Sequence, residues 1–185
     1  MERCQDRICG IIKVELILDI GNSTITSAFF KADKVVDIST TAHHNNTAEV
    51  PHEFIRTIDL ILGYNVENII IASVTPELTE LFSKCITSNT AVKTHIITHD
   101  SYADLKSKYD NINELGVDRL CNVAYAIEKF KNSVIVIDIG SALTFEIIGP
   151  EGYFEGGMIL PGIDISSKAL ELNTSLLPKI EKKEI

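Results

Sequence analysis

The stretch that decides the fold is Leu16–Thr26, LILDIGNSTIT, because the chain writes it twice: Ile135–Phe145 reads IVIDIGSALTF. Each copy is an aliphatic run, then Asp-Ile-Gly, then small polar residues and a second alternating stretch. The aliphatic run is strand-like, and Gly followed by Asn, Ser or Thr reads as a tight hairpin turn. Asp19 and Asp138 hold the same place in the two copies, 119 residues apart, each at the end of its strand.

Between the copies, helix and strand periods alternate. Lys34–Ser39 reads as a third strand and Glu49–Leu62 as a helix. Asn68–Val74, NIIIASV, is apolar almost throughout, as expected of a strand covered on both faces. Thr75 then caps a helix that opens at Pro76, with Glu77 and Glu80 in its first turns. Lys93–Thr98 alternates like a strand. Asp118–Phe130 is a helix whose apolar stripe is Leu120, Val123, Ala124 and Ile127. Val134–Asp138 restarts the cycle, Gly152–Met158 is a turn and strand, and Pro161 starts a last helix through about Leu172. Each half therefore runs β-β-β-α, and the first continues β-α-β. The pattern is that of a duplicated α/β protein.

Composition bounds the function. The 185 residues carry 17 Lys+Arg against 26 Asp+Glu, a formal charge of −9, and 45% are hydrophobic. That is a soluble globular balance. Nucleic acids and anionic membranes call for a basic face, so neither is an expected partner. No apolar run approaches the ~20 residues that span a bilayer. Lys13 and Glu15 break the early apolar run, so no signal peptide is expected. Cys4, Cys9, Cys85 and Cys121 lack zinc-site spacing and read as reduced thiols of a cytoplasmic protein. His43 and His44, in the polar loop TTAHHNNT, read as solvated, as does the charged run Lys179–Glu184.

Three segments could carry chemistry. Asp19–Thr26, DIGNSTIT, offers clustered N–H donors and close backbone approach, which phosphate binding needs. Its Asp suits a hydrated Mg²⁺, which takes one or two carboxylates and keeps its waters. A plain hairpin turn is the simpler reading. Leu115–Arg119, LGVDR, opens a helix. There Asp118 serves either as a first-turn cap or as a general base, and the planar fork of Arg119 suits a substrate carboxylate or phosphate. Asp138–Glu146, DIGSALTFE, repeats the first turn. Gly156-Gly157 and Pro161-Gly162 precede the last helix, whose N-terminus is a natural anion site or simply a turn.

In order, DIGNST, IASVTP, Tyr109 with ELGVDR, VIDIGSALTFE, GGMILPG and LNTSLLP resemble type III pantothenate kinase, from about Ile17 to Pro178. The resemblance implies an α/β, actin-like (ribonuclease H-like) duplicated fold, with the first lobe complete and the second truncated. The first lobe would span residues 13–117; a linking helix and partial second lobe would span 118–185. It implies ATP-dependent phosphorylation of pantothenate to 4'-phosphopantothenate, the first step of coenzyme A biosynthesis. The ATP phosphates would lie on Asp19, Ile20, Gly21, Asn22, Ser23, Thr24, Ile25 and Thr26 and near Ser141. Asp118 would be the base, and Tyr109, Gly116, Val117, Asp118 and Arg119 would line the pantothenate pocket. Asp138 would bind K⁺ or NH₄⁺, and Asp19 would hold Mg²⁺ through water. A cytoplasmic homodimer without nucleic-acid or membrane partners is implied as well.

The chain also departs from the family pattern. Thr26 stands where many members have Lys, and Ile112 where Pro is common. Gly140–Glu146 reads GSALTFE where Gly-Thr-Ala-x-Thr-x-Asp is usual, which keeps a hydroxyl and a carboxylate. The family also continues beyond the match to Leu177-Pro178, with a Gly-x-x-Thr segment. A non-catalytic or regulatory relative, or an inactive shortened fragment, is the alternative reading.

Overall fold

A strand buried on one face must send alternate side chains inward, and Val14, Leu16, Leu18 and Ile20 do so along β1 (Val14–Ile20). Asp19, of the opposite parity, is exposed. In this computed structural model residues 14–32, 34–43 and 50–178 are described; Cys4, Cys9, His44 and Lys179–Glu184 lie outside them. The described residues fall into two compact units, one up to Ile97 and one from Thr98.

In the first unit, β1 pairs antiparallel with β2 (Thr24–Lys31), and β2 with β3 (Lys34–Ala42). Helix α1 (Val50–Tyr64) leads to β4 (Val66–Ser73), which returns parallel to β1. Helix α2 (Pro76–Asn89) leads to β5 (Lys93–Ile96), parallel to β4. The sheet order is β3-β2-β1-β4-β5. Its core joins Leu16, Leu18 and Ile20 to Phe29, Ile69 and Ile71, under Ile61 of α1 and Leu78, Phe82 and Ile86 of α2. Burying each large side chain of this kind contributes about 1.5–3 kcal/mol.

Three sequence expectations shift here. β3 extends past Ser39 to Ala42. β4 is not sealed on both faces: Val66, Ile69 and Ile71 are buried, while Asn68 and Ile70 are half-buried. Thr75 sits at the N-cap of α2, with Pro76 opening the helix, but its side chain makes no cap bond. Instead Ser73 Oγ accepts from the Thr75 N–H at 3.1 Å.

The second unit opens with short 3₁₀ turns at His99–Tyr102 and Ile112–Glu114, then α3 (Val117–Lys129). Strands β6 (Val134–Ile139), β7 (Ala142–Ile148) and β8 (Phe154–Pro161) form an antiparallel sheet in that order, followed by α4 (Ile163–Asn173). Pro161 therefore ends β8 rather than starting the helix; Gly162 is the N-cap. Leu120, Val123 and Ala126 of α3 pack with Ile148, Phe154, Val134 and Val136. The opposite parity of β6 is bare, with Ile135, Ile137 and Ile139 at 58%, 54% and 66% exposure. Cys85 on α2 and Cys121 on α3 are both half-buried. Among the described residues no helix is long and apolar enough to cross a membrane.

The register of β1 rests on its buried parity. Leu18→Ala, at a fully buried position, is expected to cost about 2–5 kcal/mol of stability, read as a lower midpoint in equilibrium urea unfolding.

Candidate active site

The first Asp-Ile-Gly turn is a tight hairpin. Ile20 pairs with Ile25, and the Gly21 N–H donates to the Thr24 carbonyl at 2.9 Å. Ile20 and Ile25 are buried, so their side chains belong to the core and only their backbone reaches the turn. Asn22, Ser23 and Thr24 are exposed. Thr26, where a Lys is common in the family the sequence resembles, faces β3, its hydroxyl 3.0 Å from that of Thr40.

His43 holds this turn. The longer β3 brings it beside the hairpin, where its N–H donates to the Ser23 carbonyl at 2.8 Å. Its ring Nε2 lies 2.9 Å from the Gly21 carbonyl. A carbonyl only accepts, so Nε2 carries the proton. His43 is 5% exposed, which corrects its reading as a solvated loop residue. Seen as the residue following a β-strand, it would have drawn notice; ending the strand at Ser39 hid it.

The second turn is one residue shorter than the first. Ile139 pairs with Leu143, and the Gly140 N–H donates to the Ala142 carbonyl at 2.9 Å. Asp138 and Ser141 are exposed. The start of α4 is pressed onto this turn: the Gly162 N–H donates to the Ser141 carbonyl at 3.0 Å. A Cβ at Gly162 would collide with the carbonyls of Gly140 and Ser141, so only glycine fits. The Pro-Gly pair thus brings a helix N-terminus against the turn, an arrangement favourable to an anion.

The third element is the start of α3. Buried Leu115 is tied down by His99, whose Nε2 lies 2.8 Å from the Leu115 carbonyl. Gly116 is the N-cap, and its carbonyl accepts from the Leu120 N–H at 2.9 Å. Asp118 is half-buried in the first turn, with Oδ1 accepting from the Arg119 N–H at 2.7 Å. It therefore does the work of a first-turn acceptor whatever else it does. Tyr109 is partly exposed, its ring packed against Phe154 at 5.9 Å between centroids. Beside it, Lys108 Nζ lies 2.7 Å from Glu155 Oε2, and bonding to that carboxylate holds the ammonium above its ordinary pKa.

Arg119 turns inward. It is 8% exposed, and its Nε donates to Oε1 of fully buried Glu146 at 2.6 Å. Nη2 donates to the Phe145 carbonyl at 3.3 Å. The guanidinium read from sequence as a grip on a substrate anion thus gives these two nitrogens to β7. Glu146 Oε2 and Thr144 Oγ1 are buried with no hydrogen-bond partner among the described residues. Removing one member of such a pair costs about 3–5 kcal/mol, although the pair itself adds little net stability. The sequence marked Glu146 only as a carboxylate in the second motif, with no sign of its partner.

A cavity of about 490 Å³ in the second unit lies beside α3, lined in part by Tyr102, Asp104, Ala124, Ile127 and Glu128. Asp100 and Glu151 add further acidity, and none of the sequence-derived site residues borders it. Its charge is wrong for a phosphate ligand. Burial foremost, then neighbouring Cys121, raises the Tyr102 phenol pKa. Among the described residues no group of three or more His, Cys, Asp or Glu side chains is placed to hold a metal.

Two sheets, each opening on a strand, an Asp-Ile-Gly turn and an antiparallel return, place the protein in the actin-like class. Its fold is similar to the Ppx/GppA phosphatase of Aquifex aeolicus, type II variant: TM-score 0.51 at 14% identity, over 86% of this chain and 56% of that one. An exopolyphosphatase from Cytophaga hutchinsonii gives TM-score 0.50 at 11% identity, over 80% and 50%. At such identity the likeness concerns fold alone. The sequence pattern of the type III pantothenate kinase family matches residues 15–185, and the chain belongs to that family. The type III pantothenate kinase of Finegoldia magna is 35% identical over 175 residues, 90% of this chain and 65% of the relative. That of Citrifermentans bemidjiense is 30% identical over 171 residues, 90% and 67%. The chain thus spans about two thirds of the length of these relatives, and slightly less for the first.

His43→Ala leaves the half-buried Gly21 carbonyl without its ring partner. The expected loss is about 1–3 kcal/mol. Faster amide exchange at Gly21–Ser23 than elsewhere in the first unit checks that the effect is local.

Proposed function

We propose that the chain phosphorylates pantothenate with ATP, yielding 4'-phosphopantothenate for coenzyme A biosynthesis. The observation that carries this reading is family membership over residues 15–185, with Asp118 in the first turn of α3. Asp118 takes the proton of the pantothenate hydroxyl. The hydroxyl oxygen bonds to the γ-phosphorus as its bond to the β–γ bridging oxygen breaks, and ADP leaves. Such transfers depend mainly on positioning and charge neutralisation.

The donors for the phosphates are the backbone of Asp19–Thr26 and the turn at Ser141, the latter beside the α4 N-terminus. Tyr109 and Gly116–Arg119 serve the pantothenate side. Asp19 and Asp138 are exposed strand-end carboxylates, the hard oxygen donors that suit Mg²⁺ through water and K⁺ or NH₄⁺. When bound, such cations supply charge neutralisation. A cytoplasmic homodimer without nucleic-acid partners completes the proposal, consistent with the net charge of −9.

The test is phosphate transfer from ATP to pantothenate, with and without K⁺. Asp118→Asn is expected to lower turnover by ~10²–10⁴-fold, with ATP affinity retained. Absence of phosphopantothenate from well-folded protein, under every cation condition, overturns the reading.

A further inference from the structure

We propose that Glu146 is a positioning residue: it fixes the first turn of α3, and with it Asp118, by clamping Arg119 against β7. The clamp is three-sided. Glu146 Oε1 takes the Nε proton at 2.6 Å, and the Phe145 carbonyl takes one from Nη2 at 3.3 Å. The third side is β8, where a Cβ on Gly157 would collide with both Arg119 Nη2 and the Phe145 carbonyl. The guanidinium therefore lies in a slot whose walls are two β-strands.

The slot acts on Asp118 because the two residues share one turn. Asp118 Oδ1 is bound to the Arg119 N–H at 2.7 Å, so a rotation of the first turn that moves Arg119 moves the carboxylate too. The N-cap offers no alternative hold, since Gly116 has no side chain to bond the turn. The chemistry of the pair argues for position over stability. Glu146 is fully buried and its Oε2 has no partner among the described residues, an arrangement that is a poor stabiliser compared with apolar packing. Its effect lies in direction: a fork held at two nitrogens cannot turn without breaking both bonds.

The proposal rests on the reading of Asp118 as the base, so its test uses one readout that depends on catalysis and one that does not. In the full chain, Glu146→Gln is expected to lower kcat for pantothenate phosphorylation ~10²-fold through misplacement of Asp118, with KM for ATP unchanged. Amide exchange should accelerate in the first turn of α3 and not across the rest of the second unit. Glu146→Asp, which restores the charge, should recover much of the turnover and the protection. If Glu146→Gln fails to fold, Arg119→Lys keeps the buried charges but cannot bridge Glu146 and the Phe145 carbonyl; it should show the same local exchange and turnover loss. Wild-type turnover and first-turn exchange in folded Glu146→Gln or Arg119→Lys would overturn the proposal. So would exchange that accelerates uniformly through the second unit without rescue by Asp. If the unmodified chain transfers no phosphate to pantothenate, the kinase reading fails, and the exchange comparison alone decides the role of Glu146.

Discussion

The constraint on which the rest depends is the parity of β1. Leu16, Leu18 and Ile20 face a core built from α1, α2 and β4, so Asp19 between them has to face out. The antiparallel return of β2 and the parallel approach of β4 hold that register from both sides, with Asp19 opposite Thr26 and Ala72. A slip of one residue would bury the carboxylate and expose the aliphatics together. The hairpin turn then follows directly, because the strand pairs up to Ile20–Ile25 and leaves only Gly21–Ser23 and the start of β2 to reverse the chain.

Charge has a similar logic. The chain is acidic overall, so its long side chains offer little to an anion. Two guanidinium nitrogens of Arg119 are committed to Glu146 and the Phe145 carbonyl. The Gly21, Gly140 and Gly162 N–H groups already donate to carbonyls, so the group at the second turn best suited to an anion is the helix end that follows Gly162. The collision that any side chain at Gly162 would make with Gly140 and Ser141 is the cost of bringing that helix end so near.

What sequence reasoning reached and missed divides by the range of the interactions. The two hairpins were legible because a period of two, an Asp-Ile-Gly and a polar turn all lie within a few residues. The start of α3 at LGVDR was legible for the same reason. The strand-to-helix order followed from periodicity, while the ends of β3, β8 and α4 moved by a few residues. The seat of His43 on the Gly21 carbonyl spans 22 residues, and the Arg119–Glu146 pair spans 27. Neither contact is local in the sequence. His43 looks like part of a polar loop, and Arg119 looks like a surface cation available to a ligand. Only the packing of α3 on β7 turns the guanidinium inward.

The two copies of the opening motif also differ in a way with thermodynamic weight. Leu16, Leu18 and Ile20 are fully buried, whereas Ile135, Ile137 and Ile139, which hold the matching places before and after Asp138, are more than half exposed. Unfolding the second unit therefore adds less new hydration at these three isoleucines than unfolding the first adds at their counterparts. The heat-capacity increment from this motif is concentrated in the first unit. Temperature accordingly bends the stability of one hairpin more strongly than that of its echo.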